Sequence, residues 1–338
     1  MQVTPVNMKN HDLHHKRIFA VLLILVLTLS LLTGCGKASP WKSSHSLKIV
    51  TTIFPEYDWV LNLLGANPGN AEVKLLLDNG QDPHSYQPGV QDILTISTCD
   101  IFIYVGGESD EWIEDALGEA INDDIKVIDL MDILGSFARE EELIPGMQGE
   151  DDEEDEGEET EFDEHVWLSL SNAELFTDSI CDALCEADPD NEAYYRENEH
   201  SYAEKLHALD DEYRAVVSES AKNTLLFADR FPFRYMTDDY GLSYYAAFPG
   251  CSSETEASFE TITFLSQKLD ELDLNVVLTI DGSDGKIAET VVRSSESGDQ
   301  KILMLDSMQS STSEDIAEGK DYLYIMEKNL SVLKEALQ

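Results

Sequence analysis

Two of the eight histidines stand among neighbours that could turn an imidazole into a metal ligand. One lies in Asp82-Pro83-His84-Ser85-Tyr86, after an apolar run, and the other in Asp163-Glu164-His165-Val166-Trp167, at the end of an acidic one. A loop histidine is ordinarily only a surface residue, but carboxylates flank both of these. Of the rest, His11, His14 and His15 belong to the leader and His45 to the stretch after it, while His200 and His207, seven apart among glutamates, read as exposed helix residues. Two later β-rich runs end in Asp229 and Asp281. Ligands of parallel α/β sheets bind beyond the carboxyl ends of strands. Two imidazoles and one or two such carboxylates, converging across a cleft, would suit Mn²⁺, Fe²⁺ or Zn²⁺.

The elements needed to carry these residues are visible as strand–helix alternation. Short β-rich runs occur at 47–53, 72–77, 101–105 and 126–130, and again at 224–228, 244–248, 276–280 and 301–306. Several are continuously apolar, as parallel strands buried on both faces must be. Helical spacing fills the intervals, for example at 59–65, 90–98, 112–121, 259–272 and 287–292. Four such alternations per half predict two (βα)4-type α/β lobes with parallel sheets and a metal cleft between them. Between the halves, Asp188-Pro189 offers an N-cap and a first-turn proline. Tyr195, Tyr202, Leu206, Leu209, Tyr213 and Val216 then recur at helical intervals, so 188–220 reads as a long rigid connecting helix and little hinge bending is expected. A last helix carries the stripe Tyr322, Ile325, Met326, Leu330, Leu333 and Leu337.

At 338 residues, with 68 Asp+Glu against 22 Lys+Arg and a net charge of −46, the chain has room for two domains and a large core. Such a charge repels nucleic acid and anionic lipid and favours cationic ligands. Residues 1–34 have the basic, then apolar, then small-residue order of a secretory signal, ending Leu32-Thr33-Gly34-Cys35. The apolar run from Ile18 to Leu32 would reach only about 22 Å, short of a membrane core. Residues 35–46, rich in Ser, Gly and Lys, follow as a flexible tether. The lobes are then expected at 47–187 and 221–338. Twelve of the fifteen residues from Glu150 to Glu164 are acidic, so about 147–164 reads as a solvated, disordered loop, either a solubilising surface or a collector of cations. Cys99, Cys181, Cys185 and Cys251 read mostly as small core residues whose pairing is open; Cys181 and Cys185, four apart on a helix, would form a strained bond.

Taken together, these motifs resemble the metal-binding solute-binding lipoproteins of bacterial zinc and manganese ABC transporters. The resemblance covers nearly the whole chain after the leader, through Ile49-Val50-Thr51-Thr52-Ile53-Phe54-Pro55, Asp82 to Pro88, Asp163 to Ser169, Asp239-Tyr240-Gly241-Leu242 and the Tyr322…Met326…Asn329-Leu330 segment. It implies acylation of Cys35 as a membrane anchor, two lobes joined by a long helix, a monomer, and delivery of zinc or manganese to a permease with its ATPase. The family's first two ligands would fall on His84 and His165, and a later acidic one on Asp281.

One position departs from the pattern. The family's third ligand, a His or Glu, falls where this chain has Arg230, and guanidinium cannot ligate a cation. A unit charge about 5 Å from a divalent ion, at an effective dielectric constant of about 20, would cost about 6–7 kcal/mol. Two readings stand: Asp229 and Arg230 form only a structural pair, or Asp229 replaces the missing ligand. Arg230 would then be held away from the ion by Glu254, Glu256 or another acid, with Glu164 behind the ligands. Other function classes carry less support. A receptor for an anionic chelate could use Arg230. A metallohydrolase could use Glu164 as base, but no HExxH or Gly-x-Ser-x-Gly signature accompanies it. Nothing in the sequence marks an adhesin surface.

Overall fold

In the computed structural model, residues 46–66, 71–149, 161–252 and 256–338 are described. The leader, Cys35, Glu254 and the centre of the acidic run lie outside these residues. The first half runs β1 (Leu47–Thr51), α1 (Phe54–Leu64), β2 (Ala71–Leu75), α2 (Val90–Ser97), β3 (Ile101–Tyr104), α3 (Trp112–Gly118), β4 (Lys126–Asp129), α4 (Leu130–Leu134) and α5 (Leu170–Ala187). The connecting helix is α6 (Glu192–Glu219). The second half runs β5 (Thr224–Phe231), α7 (Arg234–Tyr240), β6 (Ser243–Pro249), α8 (Phe259–Glu271), β7 (Val276–Ile280), α9 (Lys286–Ser294), β8 (Lys301–Leu305), α10 (Ser313–Ala317) and α11 (Tyr322–Ala336).

Two four-stranded parallel sheets result, ordered β2-β1-β3-β4 and β6-β5-β7-β8. The order is the same in both, so each sheet has its switch point between its two central strands, where a crevice opens beyond the carboxyl ends. The apolar pattern of the sequence explains the layering. β7 is buried along its whole length and β3 nearly so, whereas β2, β4 and β8 at the edges alternate with exposed positions.

At about 1.5 Å per residue the 28 residues of α6 reach about 42 Å. Tyr195, Tyr202, Leu206, Leu209 and Tyr213 form its buried stripe, and Tyr213 donates to the Met326 carbonyl at 2.7 Å. One hydrophobic core runs from Ile49 and Trp59 through this stripe to Phe227, Ile280 and Leu333. Trp59 packs on Phe176 and Tyr322, with ring centroids 5.8 and 5.3 Å apart. Trp167 Nε1 donates to the Ser307 carbonyl at 2.9 Å, and the Tyr322 hydroxyl to the Trp167 carbonyl at 2.7 Å. A shared core and side-chain hydrogen bonds to backbone carbonyls tie the two halves together.

Some local expectations are revised. Asp188 does not cap backbone amides. Its carboxylate takes the Asn191 amide and the Tyr195 hydroxyl at 2.5 and 3.0 Å, and a short 3₁₀ turn precedes α6. All four cysteines of the described region are free thiols, and the Cys181 and Cys185 sulfurs stand 4.0 Å apart. The acidic run is not solvated to its end. Glu140 and Phe162 form an antiparallel bridge, and Asp163 and Glu164 beyond it are buried because histidines and amides satisfy them. No helix among the described residues is long and apolar enough to cross a membrane.

Candidate metal centre

His84 is delivered by a turn its own neighbours dictate. Pro83 supplies the fixed φ that starts a 3₁₀ turn, and Asp82 Oδ1 accepts the His84 amide at 3.0 Å. His165, also in the first half, is set by the same device. Asp163 Oδ1 accepts both the His165 amide (2.8 Å) and its Nδ1–H (3.0 Å). Tyr235 on α7 fixes Asp163 in turn, donating to its carbonyl at 2.9 Å.

The two rings meet through their Nε2 atoms, 3.1 Å apart. On their far sides, His84 Nδ1 faces Ser109 Oγ at 2.8 Å and Glu164 Oε2 at 3.5 Å, while His165 Nδ1 faces Asp163. An acceptor behind Nδ1 holds the proton there and leaves the Nε2 lone pair free. Two lone pairs are therefore aimed into one small space. In a tetrahedral zinc site with Zn–N of about 2.0–2.1 Å, nitrogens stand about 3.3 Å apart. The observed separation needs almost no adjustment. His165 is fully buried and His84 only slightly exposed, so an ion held here would be largely shielded from water.

Glu164 stands behind His84. Its Oε1 accepts the Ser109 amide at 2.9 Å, and Gly107 is required beside it, since a Cβ there would fall 2.4 Å from that oxygen. Burial pushes the Glu164 carboxyl up, but the His84 ring and the Ser109 hydroxyl and amide outweigh it and hold it below the usual range.

The aspartates of the second half are disposed differently. Asp281, just after β7, has its oxygens taken by the amides and hydroxyls of Ser307 (2.7 and 2.5 Å) and Ser310 (3.1 and 2.5 Å). Asp229, on β5, accepts the Arg230 amide at 2.9 Å; burial pushes its carboxyl up, against Ser283 and neighbouring backbone amides. Both line a cleft of about 610 Å³ that also reaches Asp82, His84, Arg230 and Gln309. Neither is among the residues whose donor atoms cluster with the histidines. Arg230 is indeed held by another acid, Asp82, at 2.6 Å, and its second arm reaches the Ser252 carbonyl at 3.4 Å. It ties β5 to the turn that carries His84. Glu256 is exposed.

Two residues join the histidines that sequence reasoning did not single out. One ligand atom each of His84, His165 and Cys251 lies within 4.8 Å of the others. Gln309 places its side-chain amide 2.8 Å from His165 Nε2 and 3.1 Å from His84 Nε2. Cys251 follows the carboxyl end of β6, and Gln309 the loop after β8, so the strand-end rule covers both. The further signal was Gly250, where a Cβ would lie 2.9 Å from His165 Cε1 and from the Phe231 carbonyl.

Comparison with known proteins gives a consistent picture. The chain is 31% identical over 318 residues to the zinc-binding lipoprotein AdcA of Streptococcus pneumoniae, covering 93% of this chain and 60% of that relative. It thus spans about three fifths of the length of that streptococcal protein. It is 28% identical over 323 residues to the high-affinity zinc uptake system protein ZnuA of Bacillus subtilis, covering 94% and 97% of the two chains. Among solved structures, the Zn(II)-bound ZnuA-like domain of S. pneumoniae AdcA superposes with a TM-score of 0.68 at 28% identity, over 87% of this chain and 99% of that one. The profile for the periplasmic zinc-uptake complex component A, ZnuA, matches residues 49–336, and the chain belongs to this family.

Proposed function

We propose that this protein is the extracytoplasmic binding component of a zinc ABC transporter, capturing Zn²⁺ between its lobes and delivering it to a membrane permease driven by an ATPase. The observation that carries this reading is the pair of Nε2 atoms 3.1 Å apart, each backed by an acceptor at Nδ1. The zinc named in the relatives' titles supports the choice of ion, and the lipoprotein relative supports anchoring through Cys35. His84 and His165 are the ligands in this account, with Asp163 and Glu164 orienting them. Asp281 and Asp229 lend negative charge to the cleft. Four carboxylates (Asp82, Asp229, Asp281, Asp284) against the one guanidinium of Arg230 line that cleft, which favours a bare cation over an anionic chelate. The task is capture and release, not turnover.

The test is calorimetric titration of the full chain with Zn²⁺ and Mn²⁺, beside His84→Ala. One tight zinc per chain that is lost in the variant is the expected result. Equal zinc affinity in both proteins would refute histidine ligation.

A further inference from the structure

We propose that Cys251 supplies a thiolate ligand to the captured ion, with the Gln309 side-chain oxygen completing a two-nitrogen, one-sulfur, one-oxygen shell. The inference rests on the capture role above and specifies the class of ion it takes.

The geometry carries it. In a tetrahedral zinc shell with Zn–N near 2.05 Å and Zn–S near 2.3 Å, donor atoms stand about 3.3–3.6 Å apart. Donor atoms of His84, His165 and Cys251 already lie within 4.8 Å of one another, so closure around an ion asks for little more than about 1 Å. Cys251 is positioned rather than merely near. Its own amide donates to Glu141 Oε1 at 3.1 Å, the Glu164 backbone amide is directed at its sulfur, and Gly250 lets the chain pass against the His165 ring. Gln309 is buried and its amide already contacts both Nε2 atoms. Turned over about its last torsion, the same amide presents its oxygen to the same space.

The rest of the second half supports the assignment by elimination. Arg230, standing where the family places a third ligand, is engaged by Asp82, and the Asp281 oxygens are taken by Ser307 and Ser310. Without an ion, burial and the charges of Asp163, Glu141 and Glu164 keep the Cys251 thiol protonated. As the sulfur–metal bond forms, that proton leaves to solvent. The same carboxylates then surround a cationic centre and favour it. A thiolate in the shell selects thiophilic ions, Zn²⁺ and Cd²⁺, and disfavours Mn²⁺, which prefers oxygen ligands.

The experiment is a Co²⁺ titration of the full chain followed by absorption, with Cys251→Ser and His84→Ala beside it. Wild type should show thiolate-to-cobalt charge-transfer absorption in the near ultraviolet. Cys251→Ser should lose that band, keep the visible bands of bound cobalt and bind Zn²⁺ at least tenfold more weakly. Stoichiometric Zn²⁺ should also protect one thiol of wild type from iodoacetamide, and this protection should vanish in Cys251→Ser. Stoichiometric cobalt binding by wild type without the charge-transfer band would overturn the thiolate assignment while leaving histidine capture intact. Failure of wild type to bind Co²⁺ or Zn²⁺ at all would instead overturn the capture reading. The wild-type spectrum decides the matter even if the serine variant folds poorly.

Discussion

The loops at the strand ends of the two halves carry similar chemistry and use it in opposite ways. In the first half, Asp163 and Glu164 bond to the backs of the imidazoles and turn the Nε2 lone pairs of His84 and His165 into one space, where the Gln309 side-chain amide meets them. In the second half, the Asp281 carboxylate is consumed by four donors of the neighbouring loop after β8, and Arg230 reaches across to Asp82. The contrast teaches that a carboxylate near a cleft is not thereby a ligand. What matters is whether its lone pairs are already spent.

That contrast can be broken by mutation. His165→Ala, removing a fully buried ligand, should abolish measurable zinc binding in calorimetry, whereas Asp281→Asn should leave a bound zinc with affinity within about tenfold of wild type. If Asp281→Asn were as damaging as His165→Ala, the difference between the halves would be wrong.

Asp306 and Glu164, one from each half, should also differ in sign when pH changes. Asp306, beside Asp281, is pushed up to about 6 by burial and by that neighbour's charge. A carboxyl raised in the folded state contributes stability that is complete below its unfolded value of 3.8 and lost as pH rises through about 6. The loss could reach about 3 kcal/mol, and Asp306→Asn should remove most of it. Glu164, held low, contributes in the opposite sense: its stability is present above the unfolded value of 4.5 and lost as pH falls below that. Urea denaturation of the metal-free protein between about pH 3 and 7.5, with Asp306→Asn and Glu164→Gln, separates the two trends. Parallel profiles for both variants would contradict the assignment.

Smaller effects sharpen the same picture. Asp163→Ala frees the His165 ring without touching a ligand atom and should weaken zinc by about 10–100-fold. Arg230→Met breaks the tie between β5 and the His84 turn and the contact with the Ser252 carbonyl but touches no donor atom of the centre, and a loss of less than about tenfold is expected. A gain in affinity on removing Arg230 would mean that its charge is felt by the ion despite Asp82.

Much of the fold was legible because buried parallel strands leave continuous apolar runs, such as Val276 to Ile280, and because α6 repeats its aromatic stripe at helical intervals. Strand ends slipped by one to three residues, as at β5, where pairing continues to Phe231 past an irregularity after Phe227. His84 and His165 were singled out from their flanking acids, and the fold brings their rings together. Cys251 and Gln309 were not, because their approach depends on how β6 and β8 end against the other half, a property of packing and not of local pattern. Asp229 and Asp281 were read as ligands from position alone, and position does not reveal the hydrogen bonds that Ser307 and Ser310 make to Asp281.

The central claim is that the Nε2 atoms of His84 and His165 share one ion. Zinc-edge X-ray absorption on the one-to-one zinc complex of the full chain tests it directly. The account predicts two imidazole nitrogens at about 2.0–2.1 Å from the zinc. A shell of oxygens without imidazole scattering would contradict it.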